Sequence, residues 1–315
     1  MATHAKEIKN RLQSIKNTKK ITKAMELVSG AKMRKAVTVM LNTRAYYRLA
    51  WEIMTRITKN LELASQDQLA RFFELQEKEE TENQRVTLVV FTSNRGLAGA
   101  FNTNVIKKIA SLLQKYGKEN IEVIAVGKKG VAGLSLLGIK AHLAYLKDDT
   151  AVNSASISVV ARLVHEKFKK KETDKVLVAY TDYLSAINQE AIVKQLYPFT
   201  KTAGIGESVE NMSEAQENKT PEKTLLPSGN IRYTYEPSKE AILTYLIPRI
   251  AEVQLYQALL ESNASEHSAR MVAMKNASDA ASEMSEDLTL AFNRARQASI
   301  TQEIAEISAG TAAII

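Results

Sequence analysis

"ASEHSARMVAMKNASDAASEM" (Ala264–Met284) has the length and periodicity of an amphipathic helix, yet its seam is built of Ala, Ser and Met rather than Leu and Ile. Small side chains bury little surface, so such a helix gains little in a globular core. They do allow a second helix to approach closely, while Met fills irregular gaps. The stretch lies within 61 residues, Arg249–Ala309, that contain neither Pro nor Gly. Along them Val253, Tyr256, Leu260, Ala264, His267, Met271, Met274, Ser278, Ala281, Leu288, Phe292 and Ala295 follow a heptad-like spacing. A straight helix of that length rises about 90 Å, several times the radius of gyration of a compact domain. The pattern predicts a long partner helix and a coiled coil that projects beyond the rest of the protein.

The N-terminal segment supplies the partner. Ile8, Leu12, Ile15, Thr22, Met25, Ser29, Met33, Ala36, Met40 and Tyr47 recur at intervals of three, four or a multiple of them, which makes one helical seam. No Pro occurs before Pro198. The fold expected is an α/β protein. The N- and C-terminal helices (residues 1–60 and 241–315) form a long antiparallel coiled coil around a Rossmann-like domain (61–240) with a mostly parallel sheet. The sheet is read from "RVTLVVFTSN" (Arg85–Asn94), "IEVIAVGKK" (Ile121–Lys129) and "KVLVAYTDY" (Lys175–Tyr183), apolar runs that suit strands covered on both faces. Helical patterns at Thr103–Tyr116 and Ala151–Lys170 alternate with them. Lys201–Asn230 is polar and rich in turn formers, and reads as an exposed insertion.

Charge is distributed unevenly. The formal net charge is +8, but residues 1–48 hold twelve Lys or Arg against Glu7 and Glu26, a net +10, which leaves the remainder at −2. A basic helix of this kind calls for an acidic partner. Nucleic acid is the weaker choice: Tyr46 and Tyr47 are the first aromatics, so no stacking platform is interleaved with the charge. The chain has no Cys, which excludes disulfides and thiolate metal sites. Its longest apolar runs, such as Val86–Phe91, fall far short of the roughly 20 residues that span a bilayer. The helical pattern begins almost at residue 1, and the N-terminus is read as mature protein without a leader.

Catalytic chemistry finds little support. "FTSNRGLAGAFNTN" (Phe91–Asn104) runs from a strand through two glycines into a helix, a place where a phosphate can sit. It lacks the Gly-Lys-Ser/Thr ending of a P-loop and the G-x-G-x-x-G spacing, so it reads as a structural turn. "GKKGVAGLSLLG" (Gly127–Gly138) reads as a strand-to-helix turn with packing glycines. The histidines His4, His142, His165 and His267 are too dispersed for a zinc site. No catalytic, cofactor-binding or metal-binding residue is expected.

Five stretches converge on one family. "IKNTKKITKAMELVSGAKMRKA" (Ile15–Ala36), "TSNRGLAGAFN" (Thr92–Asn102), "YEPSKEAIL" (Tyr235–Leu243), "ASEHSARMVAMKNAS" (Ala264–Ser278) and "FNRARQASITQEIAEISAG" (Phe292–Gly310) resemble the γ subunits of F-type ATP synthases, over essentially the whole chain. The family commonly has Asp, Cys and Gly at what are here Asn94, Ala98 and Ala100, and the Cys-bearing insertion of chloroplast relatives is missing. This favours a bacterial subunit.

The resemblance implies a non-catalytic central-stalk rotor that couples ion flow to ATP synthesis or hydrolysis. Its partners would be the α and β subunits of the catalytic hexamer, the ε subunit and the c-ring, with no nucleic acid and no cofactor. It would meet the membrane only through the complex, on the cytoplasmic face of the bacterial inner membrane. Carried over by position, Met25 with Lys23, Arg34 and Lys35 would lie near the acidic, mobile part of β. Glu266 and Arg270 would make polar contacts with β, and Gln297 and Thr301 contacts near the upper shaft. The tail "GTAAII" (Gly310–Ile315) would occupy a bearing formed by α and β.

Overall fold

The computed structural model describes residues 2–59, 67–73, 84–147, 155–199 and 234–312. The polar insertion read at Lys201–Asn230 and the last three residues of the tail lie outside them. In chain order the elements are α1 (Ala2–Lys59), a single turn α2 (Asp67–Ala70), β1 (Val86–Phe91), α3 (Phe101–Tyr116), β2 (Ile121–Val126), α4 (Lys128–Leu136), β3 (Leu143–Tyr145), α5 (Ala155–Lys169), β4 (Lys175–Tyr183), β5 (Gln189–Tyr197) and α6 (Lys239–Ala312).

The chain forms two compact units: Met1–Gly30 with Arg270–Ile315, and Ala31–Ala269. The division falls inside the two long helices. The reason is physical: the C-terminal half of α1 and the N-terminal third of α6 carry large apolar residues, such as Met54, Ile57, Leu243 and Leu255, and these are buried in the core of the α/β unit.

In that unit five strands form a mixed sheet in the order β3-β2-β1-β4-β5. Strands β1 to β4 are parallel, with Val86 opposite Ile121 and Val89 opposite Val178. β5 returns antiparallel beside β4. The three runs read from the sequence are β1, β2 and β4, and both faces are covered as their continuous hydrophobicity requires. One face buries Leu88, Val90, Val123 and Ala125 under Val105 and Ile109 of α3 and Leu134 of α4. The other buries Val89, Phe91, Ile124 and Val178 under Val160 and Val164 of α5 and the α1 and α6 segments. Each buried Val, Leu, Ile or Phe among them contributes about 1.5–3 kcal/mol by leaving water.

α6 starts ten residues before the Pro-free stretch. Ser238 accepts a hydrogen bond from the Ala241 amide through Oγ at 3.1 Å, an N-cap that opens the helix. Pro248 lies inside the helix. Its missing amide removes one rung of the ladder, and the burial of Leu243, Ile247, Ile250 and Ala251 around it holds the helix together.

An aromatic cluster closes the same face. Tyr197, fully buried, packs at 5.0 Å from Phe168, 5.1 Å from Phe199 and 5.3 Å from Phe72. His165 stacks on Phe72 at 5.2 Å, and its Nδ1 lies 3.1 Å from the Tyr197 hydroxyl. Burial lowers the pKa of His165 below its usual value. The folded state therefore holds the ring neutral while the unfolded chain takes up a proton, so this stabilising term is lost as pH falls below about 6.5. Denaturation of the full chain between pH 7.5 and 5.5 should show stability falling with pH, and a His165→Gln variant should show a shallower fall. An equally steep dependence in the variant would count against this assignment.

Candidate partner-contact surface

In the unit made of Met1–Gly30 and Arg270–Ile315, the two terminal helices pack together along the seams read from the sequence. On α1, Thr22 and Ser29 are buried, and Ile8, Leu12, Ile15 and Met25 are half-buried. On α6, Met274, Ser278 and Ala281 are buried, and Met271, Leu288, Phe292 and Ala295 are half-buried. The Thr22 hydroxyl can sit in the seam because it donates to the Thr18 and Lys19 carbonyls, each at 3.1 Å.

Outside these seams the surface has two kinds of residue. Lys6, Lys9, Arg11, Lys16, Lys19, Lys20 and Lys23 are all exposed along α1. Lys23 is bound locally, to Glu26 at 3.0 Å, an exposed pair that contributes little. A second, apolar set is exposed as well: Ile21, Leu27 and Val28 on α1, and Leu290, Ile300, Ile304 and Ile307 on α6, with Leu27 at 63% and Ile307 at 69% exposure. Ile300, Ile304 and Ile307 are spaced four and three apart, so they form one row on the helix. This row lies outside the α6 seam of Val253 to Ala295, and its spacing alone marks it in the sequence.

The expected contact residues are divided between the two units. Lys23, Met25, Arg270, Gln297 and Thr301 belong to the helical unit, whereas Arg34, Lys35 and Glu266 belong to the α/β unit. Lys23, Arg34, Lys35, Gln297 and Thr301 are exposed, and Met25 is half-buried. Arg270 and Glu266 are covered by their own chain, at 7% and 1% exposure. Glu266 forms an ion pair with Lys147, whose side chain is also fully buried.

The glycine-bearing loop after β1 is tied by hydrogen bonds to the start of α3, to α4 and to the segment after β3. The Ser93 amide donates to Asn102 Oδ1 at 3.0 Å, and the Ser93 carbonyl accepts from the Lys129 amide at 2.9 Å. Asn94 pairs with the Lys147 backbone, its Oδ1 accepting from the Lys147 amide at 3.3 Å. Gly127 and Gly130 are packing glycines: a Cβ would stand 2.3 Å from the Thr92 carbonyl oxygen at Gly127, and 2.6 Å from Thr92 Oγ1 at Gly130. The Gly130 amide donates to that hydroxyl at 2.8 Å. These bonds make the loop a structural turn. Among the described residues, no helix is long and apolar enough to cross a membrane.

Comparison with known proteins gives one answer. A family model described as ATP synthase matches residues 4–314. The ATP synthase gamma chain of Alkaliphilus metalliredigens is 36% identical over 314 residues, covering 100% of both chains. That of Heliobacterium modesticaldum is 35% identical over 309 residues, covering 98% of each. Among solved structures, a chain of the Euglena gracilis mitochondrial ATP synthase rotor superposes with a TM-score of 0.60 at 19% identity, covering 95% of this chain and 100% of that one. A chain from the central stalk and c-ring of the Tetrahymena thermophila enzyme gives 0.57 at 23% identity, covering 82% of this chain and 99% of that one. At these identities the structures speak for the fold, and the whole-length sequence matches settle kinship: the chain belongs to the gamma-chain family of the ATP synthases.

Proposed function

We propose that this chain is the central-stalk rotor subunit of an F-type ATP synthase. It carries torque between a membrane c-ring and a catalytic hexamer of α and β subunits, and so couples ion flow to ATP synthesis or hydrolysis. The observation that carries this reading is the family likeness over residues 4–314. The subunit performs no bond chemistry; nucleotides bind on α and β. Turning an asymmetric shaft presents different contacts to each β in succession, and differential contact with alternative states is what shifts their affinities.

The surface of the helical unit fits such a role. Exposed apolar residues in rows, on helices whose mutual seam is already filled, mark a surface that a partner covers. The lysines beside them suit an acidic partner across a sliding gap, where screened attraction holds the rotor without locking it. On this reading Met25 with Lys23, Arg34 and Lys35 lies near β, Glu266 and Arg270 help to form polar contacts with β, and Gln297 and Thr301 sit among the contacts near the upper shaft. The terminal helices form an antiparallel coiled coil. The β3-β2-β1-β4 order supports a Rossmann-like reading of the parallel part of the sheet, with β5 antiparallel at its edge. The α/β unit faces ε and the c-ring, at the cytoplasmic face of a bacterial inner membrane.

Co-expression with α and β tests this reading. The chain should co-purify with them and complete an active ATPase, while the isolated chain hydrolyses no ATP. Failure to incorporate would overturn it.

A further inference from the structure

Within the α/β unit, the last turn of α6 before Arg270 is fastened to three separate segments at the carboxyl ends of the strands. Ser265 Oγ donates to the Thr181 carbonyl at 3.2 Å, on β4. Ser268 Oγ donates to the Ala186 carbonyl in the β4–β5 turn and accepts from Gln189 Nε2 at 3.3 Å. Between them Glu266 binds the Lys147 ammonium, which belongs to the segment after β3. The Lys147 backbone in turn exchanges hydrogen bonds with the side-chain amide of Asn94, in the loop after β1, and the Lys147 ammonium lies 5.8 Å from the Phe101 ring centroid. Ser265, Glu266 and Ser268 are essentially inaccessible to solvent, as are the Lys147 and Glu266 side chains.

Burial at this cost needs a reason. Taking an ammonium and a carboxylate out of water costs several kcal/mol for each ion, and a well-packed apolar pair is often as stable or more so. What an ion pair supplies that an apolar pair lacks is direction. Apolar packing is non-directional and leaves a helix free to roll and slide by small amounts on a sheet, whereas hydrogen bonds have narrow angular preferences.

We propose that Lys147 is a positioning residue. Together with Asn94 it clamps Glu266, and the clamp fixes the azimuth and axial register of α6 against the sheet. The inference rests on the rotor reading and deepens it: the clamp is where twist carried by α6 enters the α/β unit. Ser265 and Ser268 brace it from the β4 side.

The test is the assembled complex in vesicles, with ATP-driven proton uptake and ATP hydrolysis measured together. In a Lys147→Met, Glu266→Leu double variant, apolar packing replaces the pair, so the thermal midpoint of the full chain should stay within a few degrees of the parent. The ratio of protons moved to ATP hydrolysed should fall at least twofold, because α6 now yields under load. Asn94→Ala, which leaves the pair in place but frees the loop from Lys147, should lower the ratio by a smaller factor with the fold intact. An unchanged ratio in either variant would overturn the clamp. If the unmodified chain assembles but drives no pumping, the rotor reading itself fails, which separates the two outcomes.

Discussion

Gly127→Val is expected to destabilise the α/β unit by about 3–5 kcal/mol, a large part of the roughly 5–15 kcal/mol that holds an ordinary domain together. Two costs add. Gly127 has φ of +112°, a backbone conformation that side chains with a Cβ rarely adopt. A Cβ there would also meet the Thr92 carbonyl oxygen at 2.3 Å and its hydroxyl at 2.6 Å. Thr92 has little room to move, since its amide donates to the Val126 carbonyl at 2.8 Å and its hydroxyl accepts from Gly130. Chemical denaturation of the full chain would show the loss directly. A change below about 1 kcal/mol would mean that the close approach of β1 and β2 at this point is not needed for the fold.

Ile300→Asp, Ile304→Asp, Ile307→Asp is expected to have a large effect of a different kind. All three residues are exposed on α6 at 48–69%, so the free chain should melt within a few degrees of the parent. In the presence of α and β the same chain should incorporate at least tenfold less well. Each substitution removes apolar contact and buries a carboxylate where a partner lies, and central anchors of an interface commonly cost 2 kcal/mol or more when lost. The contrast between the two measurements is the point: a residue that matters only in the complex belongs to the interface. Equal incorporation would show that the apolar row faces solvent in the assembly.

Much of this architecture was legible in the residues. The seams of α1 and α6 followed from spacing, because every third or fourth position was small or apolar over stretches free of Pro. β1, β2 and β4 followed from unbroken apolar runs, which only a sheet covered on both faces accommodates. β5 was missed because "QEAIVKQLY" (Gln189–Tyr197) lies at an edge and breaks its apolar residues into short runs between polar pairs, with neither a long run nor a clean alternation. β3 was missed because three residues carry no period.

The buried polar face of α6 was illegible for a deeper reason. Gln254, Gln257, Glu261, Ser265 and Ser268 are spaced three or four apart and look like the wet side of an amphipathic helix, yet all five are buried against the sheet and α1. Gln254 donates to the Tyr47 hydroxyl at 3.1 Å and Ser265 to the Thr181 carbonyl, partners that lie far away in sequence. Lys147 and Glu266 are 119 positions apart, and a lone lysine after a short strand gives no sign that it is buried. The opening stretch Ala264–Met284 therefore serves two purposes. Its residues through Ala269 belong to the α/β unit and fasten α6 there, and those from Arg270 onward form the thin seam of the terminal helices.

Torque transmission by this chain is read out in ATP-driven proton uptake. A complex of α, β, ε and membrane subunits should be reconstituted into vesicles with and without this chain. With it, ATP hydrolysis should acidify the vesicle interior and stop doing so when an uncoupler is added. Without it, hydrolysis and uptake should be lost together or hydrolysis should continue alone. Proton uptake of equal rate and extent in the absence of the chain would contradict the claim.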